Sequence, residues 1–179
     1  MATVLVPLAQ GCEELEAVTV IDLLRRAGIE VVSAGLDTQP VRARRGTVLI
    51  ADTDLDSALQ QDYDMVVLPG GMPGADHLDN DPRIQTLLKE MAANNKYTAA
   101  ICAAPKVLAS SGVLGDKKAT AFPGLLESLG KTPAVETVVM DGKVITSRGP
   151  GTAMDFALKL IEVLVSKEKR DEVEKGLAR

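Results

Sequence analysis

The chain has 179 residues, 46% of them hydrophobic and 25% charged, which suits one domain around a single core. A net charge of -5 without a basic cluster, and aromatics at only 2%, argue against nucleic acid as the main partner. No apolar run reaches membrane-spanning length, two cysteines are no disulfide framework, and one histidine cannot build a histidine-rich metal site.

The N-terminus lacks a basic leader and reads as a strand, so no signal peptide is expected and the cytoplasm is the default location. Val4 to Leu8 is the first strand. Glu13 to Ala27 reads as a helix, with Leu15, Val18, Ile21 and Leu24 at helical spacing and Gly28 as its stop. Glu30 to Ala34 is the second strand. Val41 to Ala51 reads as two short strands around Arg44-Arg45-Gly46, a hairpin pattern. Met65 to Leu68 is a buried strand ending in Pro69-Gly70-Gly71. Pro82 to Ala93 is a helix, capped by Asp81 and begun by proline. A strand ending at Cys102 turns into a helix that stops near Gly112. Thr137 to Met140 and Lys143 to Thr146 flank Asp141-Gly142, a strong hairpin signal. Gly151 to Val165 is a long amphipathic helix, and a charged C-terminal segment follows. The alternation predicts an α/β fold over residues 1–179, a mostly parallel sheet with helices on both faces.

Ligands of such sheets bind outside the carboxyl ends of the strands. Three loops lie there: Gln10 to Glu16, Pro69-Gly70-Gly71, and the turn at Cys102. Small residues flank Cys102, and Pro105 suits the first helical turn, so the thiol sits on a strand-to-helix elbow. Free backbone N–H groups and a helix dipole there predict a lowered thiol pKa. A small buried cysteine packed as a hydrophobe is the alternative. Glu16 lies in the first turns of its helix, a place that suits any carboxylate, and it could shuttle protons if it faces the thiol. Gly70-Gly71 is either a plain turn or, with Ala103, a source of N–H groups for a developing oxyanion. His77 reads as a solvated loop or helix-start residue and Cys12 as packing. Arg44 and Arg45 read as surface charges.

The segments Gly11-Cys12-Glu13-Glu14-Leu15-Glu16-Ala17-Val18, Val66-Val67-Leu68-Pro69-Gly70-Gly71, Ala99-Ala100-Ile101-Cys102-Ala103-Ala104-Pro105 and Thr146-Ser147-Arg148-Gly149-Pro150-Gly151-Thr152 resemble the ThiJ/PfpI superfamily across nearly the whole chain. The similarity is greatest to its branch of Parkinsonism-associated protein deglycases and YajL-like proteins. The resemblance implies a flavodoxin-like (class I glutamine amidotransferase-like) fold, a homodimer and no cofactor. It implies Cys102 as nucleophile, Glu16 as its acid partner, and the backbones of Gly71 and Ala103 as oxyanion donors. Glu13, Asp22, Arg26 and Arg45 match positions near the family's dimer interface and site. Phe122 stands where some members carry a histidine, and Ala103 stands where the protease members carry one, so a Cys–His protease is not supported.

The activity implied is cysteine-dependent clearance of small reactive carbonyls or glycated adducts, as a deglycase or glutathione-independent glyoxalase making lactate from methylglyoxal. The alternative is a redox-sensing stress protein or chaperone whose thiol is oxidised to sulfinate without turnover.

Overall fold

A computed structural model describes residues 1–179. Its elements in chain order begin with β1 (Thr3–Leu8), α1 (Glu14–Arg26), β2 (Glu30–Gly35), β3 (Val41–Arg42), β4 (Val48–Leu49), β5 (Thr53–Asp54) and α2 (Leu55–Ala58). Next come β6 (Met65–Leu68), α3 (Gly74–Asn80), α4 (Pro82–Ala93), β7 (Tyr97–Ile101), α5 (Pro105–Ser110) and α6 (Leu125–Ser128). The chain closes with β8 (Val138–Asp141), β9 (Val144–Ser147), α7 (Ala153–Leu164) and α8 (Lys167–Gly176).

Seven strands form one sheet in the order β5-β2-β1-β6-β7-β9-β8. Every pairing is parallel except that of β8 with β9. Strands of such a sheet are covered on both faces and need unbroken apolar runs. Val4 to Leu8 and Met65 to Leu68 meet that need, with every residue buried. One apolar cluster joins β1, α1 and α7 on one face; the other joins β6, α4 and α5 on the opposite face. This is the flavodoxin-like α/β architecture.

Asp81 caps α4 by accepting from the Arg83 N–H at 2.9 Å, and Pro82 opens the helix, as its sequence requires. The β8–β9 hairpin turns through Gly142 and Lys143, with Asp141 paired to Val144. The Arg44–Arg45 segment does form a hairpin, but β3 and β4 are only two residues each and stay outside the main sheet. The charged C-terminal segment is a helix, α8, begun by a Ser166 cap and seated on α7 through Val173. In α1 the structure divides the predicted apolar stripe. Ala17, Val20, Leu23 and Leu24 go inward together with Glu16, while Leu15 and Val18 stand exposed.

Strand order reverses between β1 and β6, neighbours whose crossovers leave to opposite faces. The loops at their carboxyl ends therefore part and leave a crevice there. The loop after β7 borders the same crevice, because β7 is the next strand.

Candidate active site

Cys102 is the first residue after β7, and its φ is +64°. That left-handed conformation is uncommon for any residue but glycine, and it turns the side chain out of the strand's alternation. Two hydrogen bonds hold the strained peptide. Cys102 N–H donates to the Ser147 carbonyl at 3.0 Å, and the Cys102 carbonyl accepts from Phe122 N–H at 2.8 Å. The motif around Ser147 thus supports the thiol through its backbone. The residue is 8% exposed.

Glu16 is 0% exposed and projects from the first turn of α1 toward the crevice. Its Oε2 accepts from Gly70 N–H at 2.8 Å. Its Oε1 has no hydrogen-bond partner, and the Cys102 thiol lies close enough to the carboxyl for each group to shift the other's titration. Gly70 makes this approach possible. A Cβ there would lie 2.7 Å from Cys102 Cβ and 2.8 Å from Glu16 Oε2. Gly71 has φ +84°, and a Cβ on it would run into the Glu13 backbone nitrogen. The double glycine is therefore a close approach of two loops and not a simple turn.

Burial raises the Glu16 carboxyl to about 7; Gly70 N–H and the Cys102 thiol oppose the shift, and the nearby Glu13 adds to it. Burial also pushes the Cys102 thiol up to about 12, with the Glu16 carboxylate adding to it; the N–H groups of Gly71 and Ala103 favour the thiolate and work the other way. The expected lowering of the thiol pKa is thus reversed. Helix α5 starts only at Pro105, three residues beyond the sulfur's own residue, and it is six residues long. Its dipole is outweighed by burial and by a neighbouring carboxylate. Above about 7 the two groups hold one proton between them and titrate as a pair. Moving that proton from sulfur to carboxyl makes a thiolate beside an acid, with no change in net charge.

This geometry brings a thiol, a carboxyl and two backbone N–H groups to one point. No three residues among His, Cys, Asp and Glu gather where they would hold a metal. The model of the DJ-1/PfpI family matches residues 2–163. The chain belongs to the DJ-1/PfpI family. Protein DJ-1 homolog A of Arabidopsis thaliana is 45% identical over 176 residues, which cover 96% of this chain and 45% of that protein. The chain thus spans less than half the length of this relative. The glutathione-independent glyoxalase DJR-1.2 of Caenorhabditis elegans is 34% identical over 178 residues, 98% of this chain and 95% of that one. The solved structure of oxidised Toxoplasma gondii DJ-1 superposes with a TM-score of 0.96 at 41% identity, covering 99% of this chain and 98% of that one.

Other residues matched to the DJ-1/PfpI pattern fall at different distances from the thiol. Glu13 is buried beside the crevice, its backbone N–H donating to the Gly70 carbonyl at 2.9 Å. Arg45 lies at the tip of the β3–β4 hairpin, where its N–H is held by Glu14 at 2.9 Å. Asp22 and Arg26 pair with each other on the exposed face of α1, and within one chain they do not meet Cys102. His77 is exposed on α3, which agrees with a solvated helix residue. Cys12 is 1% exposed within the apolar cluster, as a packing residue would be. Arg44 does more than its reading as a surface charge implies, because its guanidinium donates to the Met72 carbonyl and ties the hairpin to the Gly71 loop. No sequence signal marked that contact.

Proposed function

We propose that this chain is a cysteine-dependent enzyme of carbonyl stress, a glutathione-independent glyoxalase and deglycase with methylglyoxal as its simplest substrate. The observation that carries the reading is the Glu16 carboxyl, wholly buried against the thiol and raised to about 7. A structural carboxylate gains nothing from such a place, whereas a general acid–base group at neutral pH needs it.

The proton of Cys102 passes to Glu16, and the thiolate attacks the aldehyde carbon. The new oxyanion, held by the Gly71 and Ala103 N–H groups, takes a proton from Glu16 and gives a hemithioacetal. Glu16 then takes the proton from that carbon and returns one to the neighbouring carbonyl carbon, through an enediol. The result is a lactoyl thioester, formed without any outside oxidant. Water cleaves it to lactate and restores the thiol. Early adducts of methylglyoxal with amines and thiols release the aldehyde, so one site clears both. The name of the C. elegans relative supports the same chemistry.

The second reading, a redox sensor or chaperone without turnover, draws on the oxidised state of the Toxoplasma structure. A sulfinate on Cys102 would accept from the same N–H groups and from a protonated Glu16. Methylglyoxal progress curves for wild type and Cys102→Ser, with intact mass to score oxidation, separate the two. Turnover by unoxidised wild type that Cys102→Ser lacks supports the enzyme. Equal consumption by both proteins overturns it.

We also propose a cytoplasmic homodimer. Leu15, Val18 and Ile21 form a stripe on the outer face of α1, exposed or half-exposed, with Asp22, Arg25 and Arg26 beside it. Such a face favours association with a second copy. A sharp monomer mass at micromolar concentration by light scattering would count against this assembly.

A further inference from the structure

The chain has only four aromatic residues. Phe156 and Tyr63 are buried, and Tyr97 is half-buried under the Lys143 ammonium, 3.9 Å from its ring centroid. Phe122 alone stands open, at 52% exposure, although it is bound to the nucleophile's own peptide. Its N–H donates to the Cys102 carbonyl, and its carbonyl accepts from Leu125 N–H at 3.0 Å in a tight turn. Two residues earlier, Thr120 N–H donates to Thr146 Oγ1 at 2.9 Å. The ring lies over Gly149, where a Cβ would come to 3.5 Å from its Cδ2. Gly149 is two residues beyond Ser147, whose carbonyl holds Cys102 N–H. The turn that carries the ring is thus tied to the nucleophile's own peptide and to the loop that supports it. A second exposed apolar side chain, Met72, directly follows Gly71, one of the two oxyanion donors.

The reaction geometry says what this apolar rim meets. With the aldehyde carbon on the sulfur and its oxygen toward Gly71 and Ala103, the rest of an R–CO–CHO substrate must point outward. We infer that Phe122 is a specificity-determining residue whose ring receives the R group of a 2-oxoaldehyde. The site then favours aryl and alkyl R groups over hydrogen. This rests on the enzyme reading above and adds the residue that selects among its substrates.

The test compares kcat/KM for glyoxal, methylglyoxal and phenylglyoxal in wild type, Phe122→Ala and Phe122→Leu. The phenylglyoxal-to-glyoxal ratio should fall about tenfold or more in Phe122→Ala, the scale set by losing apolar contact in a pocket. Phe122→Leu should restore part of it. An unchanged ratio, or an equal fall for all three substrates, overturns the assignment while the glyoxalase reading stands. Should wild type turn over none of them, that reading fails, and stoichiometric chemistry decides the rim. The rate ratio of Cys102 alkylation by phenacyl bromide and bromoacetone, followed by peptide mass, must then drop in Phe122→Ala. No drop rejects the role of the ring.

Discussion

The two cysteines share one apolar cluster, and burial pushes both thiols up to about 12. By titration alone they are twins. They differ in what surrounds the sulfur. Cys12 lies in regular loop backbone, 1% exposed, and the carboxylates near it, Glu14 first, add repulsion and make no hydrogen bond to it. Cys102 lies in a left-handed conformation at the crevice, beside the Glu16 carboxyl and with the Gly71 and Ala103 N–H groups favouring the thiolate. On the proposed reading, reactivity at Cys102 comes from a partner that can take the proton and from donors that can hold the charge. A low thiol pKa by itself is not required.

The largest effect should come from exchanging the two positions in turn. Cys102→Ser should abolish methylglyoxal turnover, since a hydroxyl in that place is far harder to ionise. Cys12→Ala should lose about 1 kcal/mol of stability, typical of a small core truncation, and keep its turnover within a few-fold. Alkylation at neutral pH, read by peptide mass, should mark Cys102 well before Cys12. Faster labelling of Cys12 would make Cys12, and not Cys102, the reactive thiol.

Next comes Glu16→Gln. The amide keeps an oxygen for Gly70 N–H but cannot carry a proton. Turnover should fall by about 10²–10⁴-fold, the usual worth of a general acid–base group. A folded Glu16→Gln protein with near-normal consumption would remove the proton carrier and the mechanism with it.

The same substitution has an opposite effect on stability. Glu16 has its folded pKa raised to about 7 from an unfolded value near 4.5. Between these values the folded state holds the extra proton, so stability falls as pH rises through that window. Wild type should lose ground against Glu16→Gln between pH 5 and pH 8, by about 1 kcal/mol or more, or about 2–4 °C in Tm per kcal/mol. Parallel Tm curves for the two proteins across that range would show that Glu16 is not held in this state.

Much of this was legible in the chain. The strand runs at Val4, Met65 and Tyr97 are apolar on both faces, so alternation fixes the sheet and brings three loops to one end of it. Cys102 stands out from that placement, whereas Glu16 is only one of several carboxylates there, and the family resemblance is what singles it out as the partner. The titration of Cys102 did not follow, because it depends on how deeply the sulfur lies and on a carboxylate many residues away in sequence. The direction of the α1 stripe was also hidden. Leu15 and Val18 have the spacing of core residues, yet Glu16 takes the inward position beside the thiol, and the helix turns its other side to the sheet. Helices α2, α3 and α6 are only 4, 7 and 4 residues long, too short for a periodic pattern to show.

The smallest effect concerns Arg26, which the family pattern sets near the site and which one chain sets apart from it. Its partner is Asp22, one helical turn away, and both side chains are about half exposed. Exposed pairs of this kind contribute at most a few tenths of a kcal/mol, because solvent screens them. Within a single subunit Arg26→Ala should therefore leave Tm nearly unchanged and turnover within about twofold, as expected of a surface charge remote from the reacting atoms. If the variant keeps its Tm and its mass in solution but loses tenfold in kcat/KM, Arg26 must act on the thiol of a second copy, since its own Cys102 is out of reach. Measuring Arg26→Ala at protein concentrations above and below the association midpoint decides the point. A loss seen only in the dimer places the guanidinium across the interface, and an equal, small change at both concentrations leaves Cys102 and Glu16 dependent on their own chain alone.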